Sequence, residues 1–238
     1  CASGIFQKEG KAMKNIFSNK KAIIVLIACS LITIIIAIIM KITFFKPKPI
    51  TEIKTNTVYI GGSRSEYPDN DQSRYYIEFK DNKTFILMYD DTRRNEENYD
   101  EDGDGSKPRL DIYFGEYEIK NGNYILKTTD SAGVSFKNTM AVAKKKINYY
   151  GRGIFEIEKY VLNQYGHNAE RIIFRTGKRE YILGYQDNSG NYYDKNDYYY
   201  LLFNKSDIKK LPISIEEFRK QFKMDKKAEQ ERIAEQNR

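Results

Sequence analysis

Residues 75–89 read Tyr-Tyr-Ile-Glu-Phe-Lys-Asp-Asn-Lys-Thr-Phe-Ile-Leu-Met-Tyr, and their period is two, not 3.6. Tyr75, Ile77 and Phe79 alternate with Tyr76, Glu78 and Lys80. Phe85, Leu87 and Tyr89 resume the alternation after Asp81-Asn82. Successive side chains of a strand point to opposite faces, so this spacing marks two strands. Asp and Asn both tolerate positive φ, so the pair between them reads as a tight hairpin turn. The same signal recurs outward. Residues 112–120 and 123–129 flank Asn121-Gly122, the strongest hairpin dipeptide in the chain. Residues 171–175 and 179–185 flank Thr176-Gly177, and 198–203 close the set. The expectation is an all-β fold, an antiparallel barrel or sandwich of about 8–9 strands. Residues 154–165 stay ambiguous: Ile154, Ile157, Val161 and Tyr165 fit a helix face, whereas Phe155 and Ile157 fit a strand.

The β region has clear limits. All twenty tyrosines fall between Tyr59 and Tyr200. Residues 56–211 are therefore the β-rich domain, and 41–55 a linker that opens on the stiff Lys46-Pro47-Lys48-Pro49. No Cys follows Cys29, so neither a disulfide nor a Cys-ligated zinc holds this domain, and no thiol serves as a nucleophile. Residues 212–238 form a charged tail. Ser214, three residues before Glu217, is a capping box, and Ile215, Phe218 and Phe222 share one face of the helix it starts. The sequence after Met224 is expected to bury nothing and to fray.

Ahead of the domain, residues 22–40 (AIIVLIACSLITIIIAIIM) carry no charge. Nineteen residues at about 1.5 Å each span roughly 28 Å, close to the hydrocarbon thickness of a bilayer. Lys20 and Lys21 close one end. Lys41, Phe44, Phe45, Lys46 and Lys48 close the other, where lysine stems snorkel and rings sit among headgroups. The segment reads as an uncleaved signal-anchor. Leu26-Ile27-Ala28-Cys29 also fits a lipobox, but the chain stays apolar after it. Residues 1–21 are a leader and basic cytoplasmic tail, which places the C-terminal part outside the cell. Met13 opens a short basic stretch. Lys8-Glu9-Gly10 just upstream suits codons of a ribosome-binding sequence, so residues 1–12 read as an untranslated leader.

Two hairpins carry a family resemblance. Tyr76-Ile-Glu-Phe-Lys-Asp-Asn-Lys-Thr-Phe-Ile-Leu is followed by Gly115-Glu-Tyr-Glu-Ile-Lys-Asn-Gly-Asn-Tyr-Ile-Leu. Strand, turn and strand, then a Gly-x-Tyr strand and a second hairpin, resemble small bacterial lipocalin-like surface and lipoprotein domains. The resemblance implies a β-barrel on the envelope surface and no particular activity. Such domains often begin with a Gly-x-Trp strand. Here Thr57-Val58-Tyr59 stands in its place, and the chain has no Trp.

Charge narrows the partners. Residues 1–45 hold six Lys and one Glu, while the remainder holds 34 basic and 32 acidic residues. The basicity lies at the membrane flank and the domain is nearly balanced, which argues against nucleic acid. Lys144-Lys145-Lys146 reads as a solvated turn or edge strand.

The one constellation with chemical spacing is Asp100, Asp102, Asp104, Ser106 and Asp111. Asp at positions 1, 3 and 5, Gly105 at 6 and a carboxylate at 12 follow the EF-hand ligand order, and imply calcium. Three features depart from it. Asp111 is shorter than the usual Glu, Lys107 takes an apolar position, and the flanks are strand-like. The alternative is an acidic loop from Thr92 to Arg109.

Catalytic motifs are absent: no Gly-x-Ser-x-Gly, no P-loop, no dinucleotide fingerprint, and a lone His167 in a turn-like context. The expectation is a single-pass bacterial surface protein whose outer β domain binds a protein or envelope component without catalysis. A calcium-dependent adhesin-like module and a carboxylate-based envelope hydrolase are the alternatives.

Overall fold

The computed structural model describes residues 20–44, 46–63, 66–99, 106–164, 167–187 and 200–237. The chain divides into two compact units, Cys1–Lys46 and Pro47–Arg238.

In the first unit, α1 (Lys20–Phe44) is one helix of 25 residues. Two of its hydroxyl side chains bond their own backbone, Ser30 Oγ donating to Ile27 O at 2.8 Å and Thr33 Oγ1 to Cys29 O at 2.9 Å. The side chains of 20–22, 39 and 41–45 lie outside the described set, which leaves 23–38 as the longest uninterrupted stretch of this helix. Among the described residues, no helix is long and apolar enough to cross a membrane.

The second unit is built on β1 (Val58–Ser63), β2 (Arg74–Phe79), β3 (Thr84–Asp90), β4 (Arg109–Lys120), β5 (Asn123–Phe136), β6 (Lys146–Arg152), β7 (His167–Arg175), β8 (Tyr181–Asp187), β9 (Tyr200–Phe203) and β10 (Lys223–Met224). Strands β1 to β5 form a meander, each antiparallel to the next. β5 then pairs with β7, β7 with β8, β8 with β9, and β9 with β1. That ring is a closed eight-stranded antiparallel barrel, which excludes the sandwich. The length of β5 makes room for a branch. Tyr124 to Leu126 pair with β7, while Ala132 to Phe136 pair with β6 instead. β6 leaves the barrel wall there and takes β10 as a parallel neighbour at Lys146 and Ile147.

The turns follow local chemistry. Asn121 and Gly122 both hold positive φ (52° and 79°), as a two-residue hairpin of matching twist requires. The ambiguous stretch is helical: α3 (Ile154–Gln164) follows α2 (Thr139–Ala143) and β6. It sits beside the stretch of β5 that pairs with neither β6 nor β7. Gly153 N donates to Ser131 O at 2.9 Å and Phe155 N to Ser131 Oγ at 2.8 Å.

Two cores result. Tyr59, Ile77, Phe79, Leu87, Leu126, Ile173, Leu183 and Leu202 fill the barrel interior. An eight-stranded barrel is just wide enough for side chains to fill, and these residues pack together at its centre. Val58, Ile60, Tyr76, Ile86 and Ile112 point outward, yet they are buried as well. The C-terminal segment covers them through Leu211 and through Ile215, Phe218 and Phe222 of and beside α4 (Ile215–Lys220). Ser214 caps α4, accepting from Glu217 N at 3.1 Å, and Glu217 reaches back to Ile213 N at 2.8 Å. Asp207 pins the segment below, accepting from Tyr76 Oη at 2.8 Å and pairing with Arg93 at 2.8 Å.

Two expectations about the flanks differ from the structure. Within the anticipated linker, Ile50 is buried and its N–H donates to Leu202 O at 2.9 Å, so the chain is docked before β1 begins. The sequence after Met224 forms α5 (Lys226–Gln236), which packs on β6. Ala228 is buried, Arg232 lies 5.0 Å from the Tyr149 ring centre, and Lys137 meets Glu231 at 2.6 Å.

Candidate functional site

The interior faces of β4, β5 and β6 continue past the barrel rim, and α3 packs against β5 and β7 there. Between helix and sheet lies a cleft of about 360 Å³. Its apolar wall is Ile154, Ile157, Val161 and Leu162 from α3, facing Val134 and Tyr149. Its polar groups are Arg109, Asp111, Ser135 and Glu158, and Tyr75 and Tyr113 form the inner end. Gly133 keeps the floor open. A Cβ there would stand 2.6 Å from Asp111 Oδ1 and 3.3 Å from Ile154 Cδ1.

Arg171 of β7 lies against the rings of Tyr113 and Tyr75, which form that inner end. It is 3% exposed, and its guanidinium carbon lies 4.2 Å from the Tyr113 ring centre, with the Tyr185 and Tyr75 rings at 5.5 and 5.6 Å. Nε donates to Tyr185 Oη at 3.0 Å and Nη2 to Glu158 Oε1. Tyr185 Oη also donates to Glu158 Oε1, at 3.0 Å. Burial raises the Tyr185 hydroxyl to about 12, against the lowering effect of Arg171, so it remains a donor at neutral pH. Nη1 of Arg171 and Oε2 of Glu158 are buried without a hydrogen-bond partner. Asp111, 8% exposed, pairs with Arg109 Nε at 3.2 Å. Burial pushes its carboxyl up to about 6; Arg109 opposes the shift and Glu158 adds to it. Asp91, beyond the end of β3, is also raised to about 6 by burial.

α3 is loosely held for a helix at such a position. None of its residues is buried, and Ile157, Tyr160 and Val161 are 64%, 66% and 45% exposed. An amphipathic helix normally buries its apolar stripe.

The calcium pattern falls mostly outside this frame. Asp100, Asp102 and Asp104 lie outside the described residues. Ser106 Oγ donates to Tyr99 O at 2.6 Å, and Asp111 faces the mouth cleft beside Arg109. Among the described residues, no group of three or more His, Cys, Asp or Glu is placed to hold a metal ion. The 92–99 part of the acidic loop is structured. Glu96–Tyr99 form a 3-10 turn, and the buried Tyr99 donates to Asp91 O at 2.5 Å. The lysine run is a solvated turn from α2 into β6, as its composition indicates.

Of the polar groups at and behind the cleft, Asp111 alone carries a functional expectation from the sequence. Arg171 escaped because Arg171-Ile-Ile-Phe-Arg175 places apolar residues at both parities, so either face reads as the inner one. An Arg in register with the buried Ile173 was the available signal. Glu158 was legible only once 154–164 is helical, since it then lies one turn from Ile154 and Val161.

No protein-family model, curated protein or solved structure matches this chain. The closed eight-stranded antiparallel barrel is compatible with a lipocalin-like fold.

Proposed function

We propose that this protein is a membrane-anchored bacterial surface protein whose β-barrel is a non-catalytic binding module, with the mouth cleft as its recognition site. The observation that carries the reading is the cleft itself. Its size, its apolar wall and its few convergent polar groups are those of a binding site. The helix beside it keeps three large apolar side chains in solvent. The described inward-facing side chains pack against one another in the barrel interior, which favours binding at the rim over enclosure of a ligand. Anchoring rests on the uncharged run at 22–40, on its helical form in α1, and on hydroxyls that bond within the helix, as apolar surroundings demand. The resemblance to lipocalin-like surface domains supports an envelope location outside the cell, with a protein or envelope component as partner.

Photo-crosslinking in living cells tests the site. A benzophenone side chain at Ile157 or Tyr160 is expected to give one discrete covalent adduct. The same group at Ile119, exposed on β4, is expected to give none. Equal yields at the three positions, or no adduct at any, would remove the mouth as the binding site.

One observation favours a hydrolytic reading: Asp111 and Glu158 face the same cleft, and Asp111 titrates near 6. A carboxyl that stays protonated can serve as general acid beside a second carboxylate. Release of soluble sugar from purified peptidoglycan by the full-length protein, abolished by Asp111→Asn, would replace the binding reading with this one.

A further inference from the structure

The outward faces of β3, β4 and β5 carry a second groove, away from the mouth. Leu110 lines it, whereas its neighbours Arg109 and Asp111 line the mouth cleft, so the two lie on opposite sides of β4. The groove measures about 310 Å³ and lies where α2 and the C-terminal segment meet the sheet. Met88, Leu110, Phe136, Val142, Ile208 and Phe222 make its wall apolar. Two exposed lysines stand with them, Lys145 at the turn after α2 and Lys210 of the C-terminal segment. Among the described residues, neither ammonium has an ion pair or a hydrogen bond. The acids of the lining are Asp90 and Glu217, and both are engaged elsewhere. Asp90 is 4% exposed, accepts from Thr92 N at 2.9 Å and pairs with Arg93 at 3.0 Å. Glu217 accepts from Ile213 N in the cap of α4. The backbone of Lys145 is fixed at φ 53°: its N–H donates to Val142 O at 2.9 Å, and its C=O accepts from Lys223 N at 3.0 Å. The root of that side chain is therefore set before any ligand arrives.

The complement of this groove is apolar along its length and negative at one end. Apolar wall is best covered by apolar surface, and an ammonium without a counter-charge attracts an anion. Apart from the charged groups, Gln221 is the one polar side chain of the lining. A peptide or a sugar would leave most of its own donors and acceptors unpaired there, which disfavours both. A hydrocarbon chain has none to lose. A carboxylate answers the two lysines through charge-assisted hydrogen bonds, an alcohol brings no charge, and an amine is repelled. The volume is at the small end of ligand sites, which suits a single chain and not the two of a membrane lipid. We propose that this groove binds a medium-chain aliphatic carboxylate, its chain against Leu110, Phe136 and Val142 and its head held by Lys145 and Lys210. The mouth takes no part in it.

The test is calorimetric titration of the full-length protein in phosphatidylcholine nanodiscs, with empty discs as the blank. Octanoate carries chain and head, 1-octanol and octylamine change the head, acetate lacks the chain, and N-acetyl-leucine sets a carboxylate on a peptide unit. Octanoate is expected to bind at least tenfold tighter than each of the others. Lys145→Asn keeps a residue that tolerates positive φ. Combined with Lys210→Gln, it is expected to bring octanoate down to the level of 1-octanol and to leave 1-octanol unchanged. Should the double variant fail to fold, the salt dependence of the parent protein gives the same reading. Octanoate is expected to weaken severalfold between 20 mM and 500 mM salt, as screening acts on the two lysines, and 1-octanol is not. Octanoate no tighter than 1-octanol overturns the proposal, as does full octanoate binding in the double variant or at high salt. N-acetyl-leucine level with octanoate would give the groove to a protein C-terminus and overturn it as well.

Discussion

At the scale of single residues, backbone geometry and burial decide more than residue type. Asp81-Asn82 suggests positive φ at the turn itself, yet the residue that adopts it is Lys83, at 61°. Lys80 N donates to Thr84 O at 2.8 Å and Lys83 N to Lys80 O at 3.2 Å, so the loop is one residue longer than a two-residue turn. A lysine held there is strained, and Lys83→Gly is expected to stabilise the protein by about 0.5–1 kcal/mol in denaturant unfolding. Gly115 is under the opposite constraint. It sits at the register shift between β4 and β5, and a Cβ would fall on the Lys127 carbonyl oxygen, with the Phe85 ring at 2.8 Å. Gly115→Ala is expected to cost about 1–3 kcal/mol by overpacking. An unchanged unfolding midpoint would mean that the strands part there without penalty.

Asp111 links residue chemistry to pH. Its folded value of about 6 stands above the ordinary 3.8. A raised carboxyl adds stability that is complete below about pH 4 and is lost as pH rises through about 6. Roughly two units correspond to about 3 kcal/mol. Asp111→Asn cannot ionise, so its stability relative to the parent is expected to rise by about 1–3 kcal/mol between pH 4 and pH 8. Paired unfolding curves at the two pH values check this. A difference that does not vary with pH would show that the carboxyl is not desolvated.

At the scale of elements, the C-terminal segment supplies half of the hydrophobic burial pattern. Both faces of β2 are buried, because Tyr76 and Glu78 lie under the chain that carries Asp207 and Leu211. Alternation alone would leave that face to solvent. Phe218 is 1% exposed at the centre of this second core and packs on Phe222. Phe218→Ala is expected to cost about 3–5 kcal/mol, the loss of a large buried ring plus the cavity it leaves. α5 contributes less: it buries one alanine, sets Arg232 over the Tyr149 ring with a hydrogen bond to Asn148 O, and adds an exposed ion pair, a kind worth about 0–1 kcal/mol. Deleting residues 226–238 is therefore expected to lower stability less than the single Phe218→Ala change does. α3 packs Ile154 and Phe155 against the barrel core but leaves Ile157, Tyr160 and Val161 exposed, which is why it marks the mouth.

At the scale of the whole molecule, closure depends on β9, a strand of four residues that must meet β8 and β1 together. Docking of the 48–50 segment against Leu202 and Asn204 reinforces that seam. The proposed topology has its own test. In intact cells, a membrane-impermeant maleimide is expected to label Ile119→Cys on the barrel and to leave Asn15→Cys unlabelled, each in a Cys29→Ala background. Labelling in the reverse pattern would place the barrel inside the cell. The uncharged run at 22–40 sets the axis of this test, because transfer of so apolar a segment into lipid is favourable whichever way it faces.

What local chemistry could determine was legible directly. A period of two makes strands, Asn121-Gly122 makes a hairpin, Ser214 with Glu217 starts a helix, and an uncharged run of nineteen residues makes a long one. These depend on contacts within a few residues, where sequence and geometry are nearly the same thing. Closure of the barrel, the second core and the mouth were decided only in three dimensions. Alternation says which residues share a face, not which face is inside, nor whether the last strand reaches the first. The site joins Asp111 of β4, Glu158 of α3 and Arg171 of β7, each separated from the next by more than ten residues. A charged side chain at such a point is disfavoured by its own burial and becomes stable only through its partners. No single stretch of the sequence contains that information, because the partners meet only when β5 gives up one neighbour for another and α3 fills the gap.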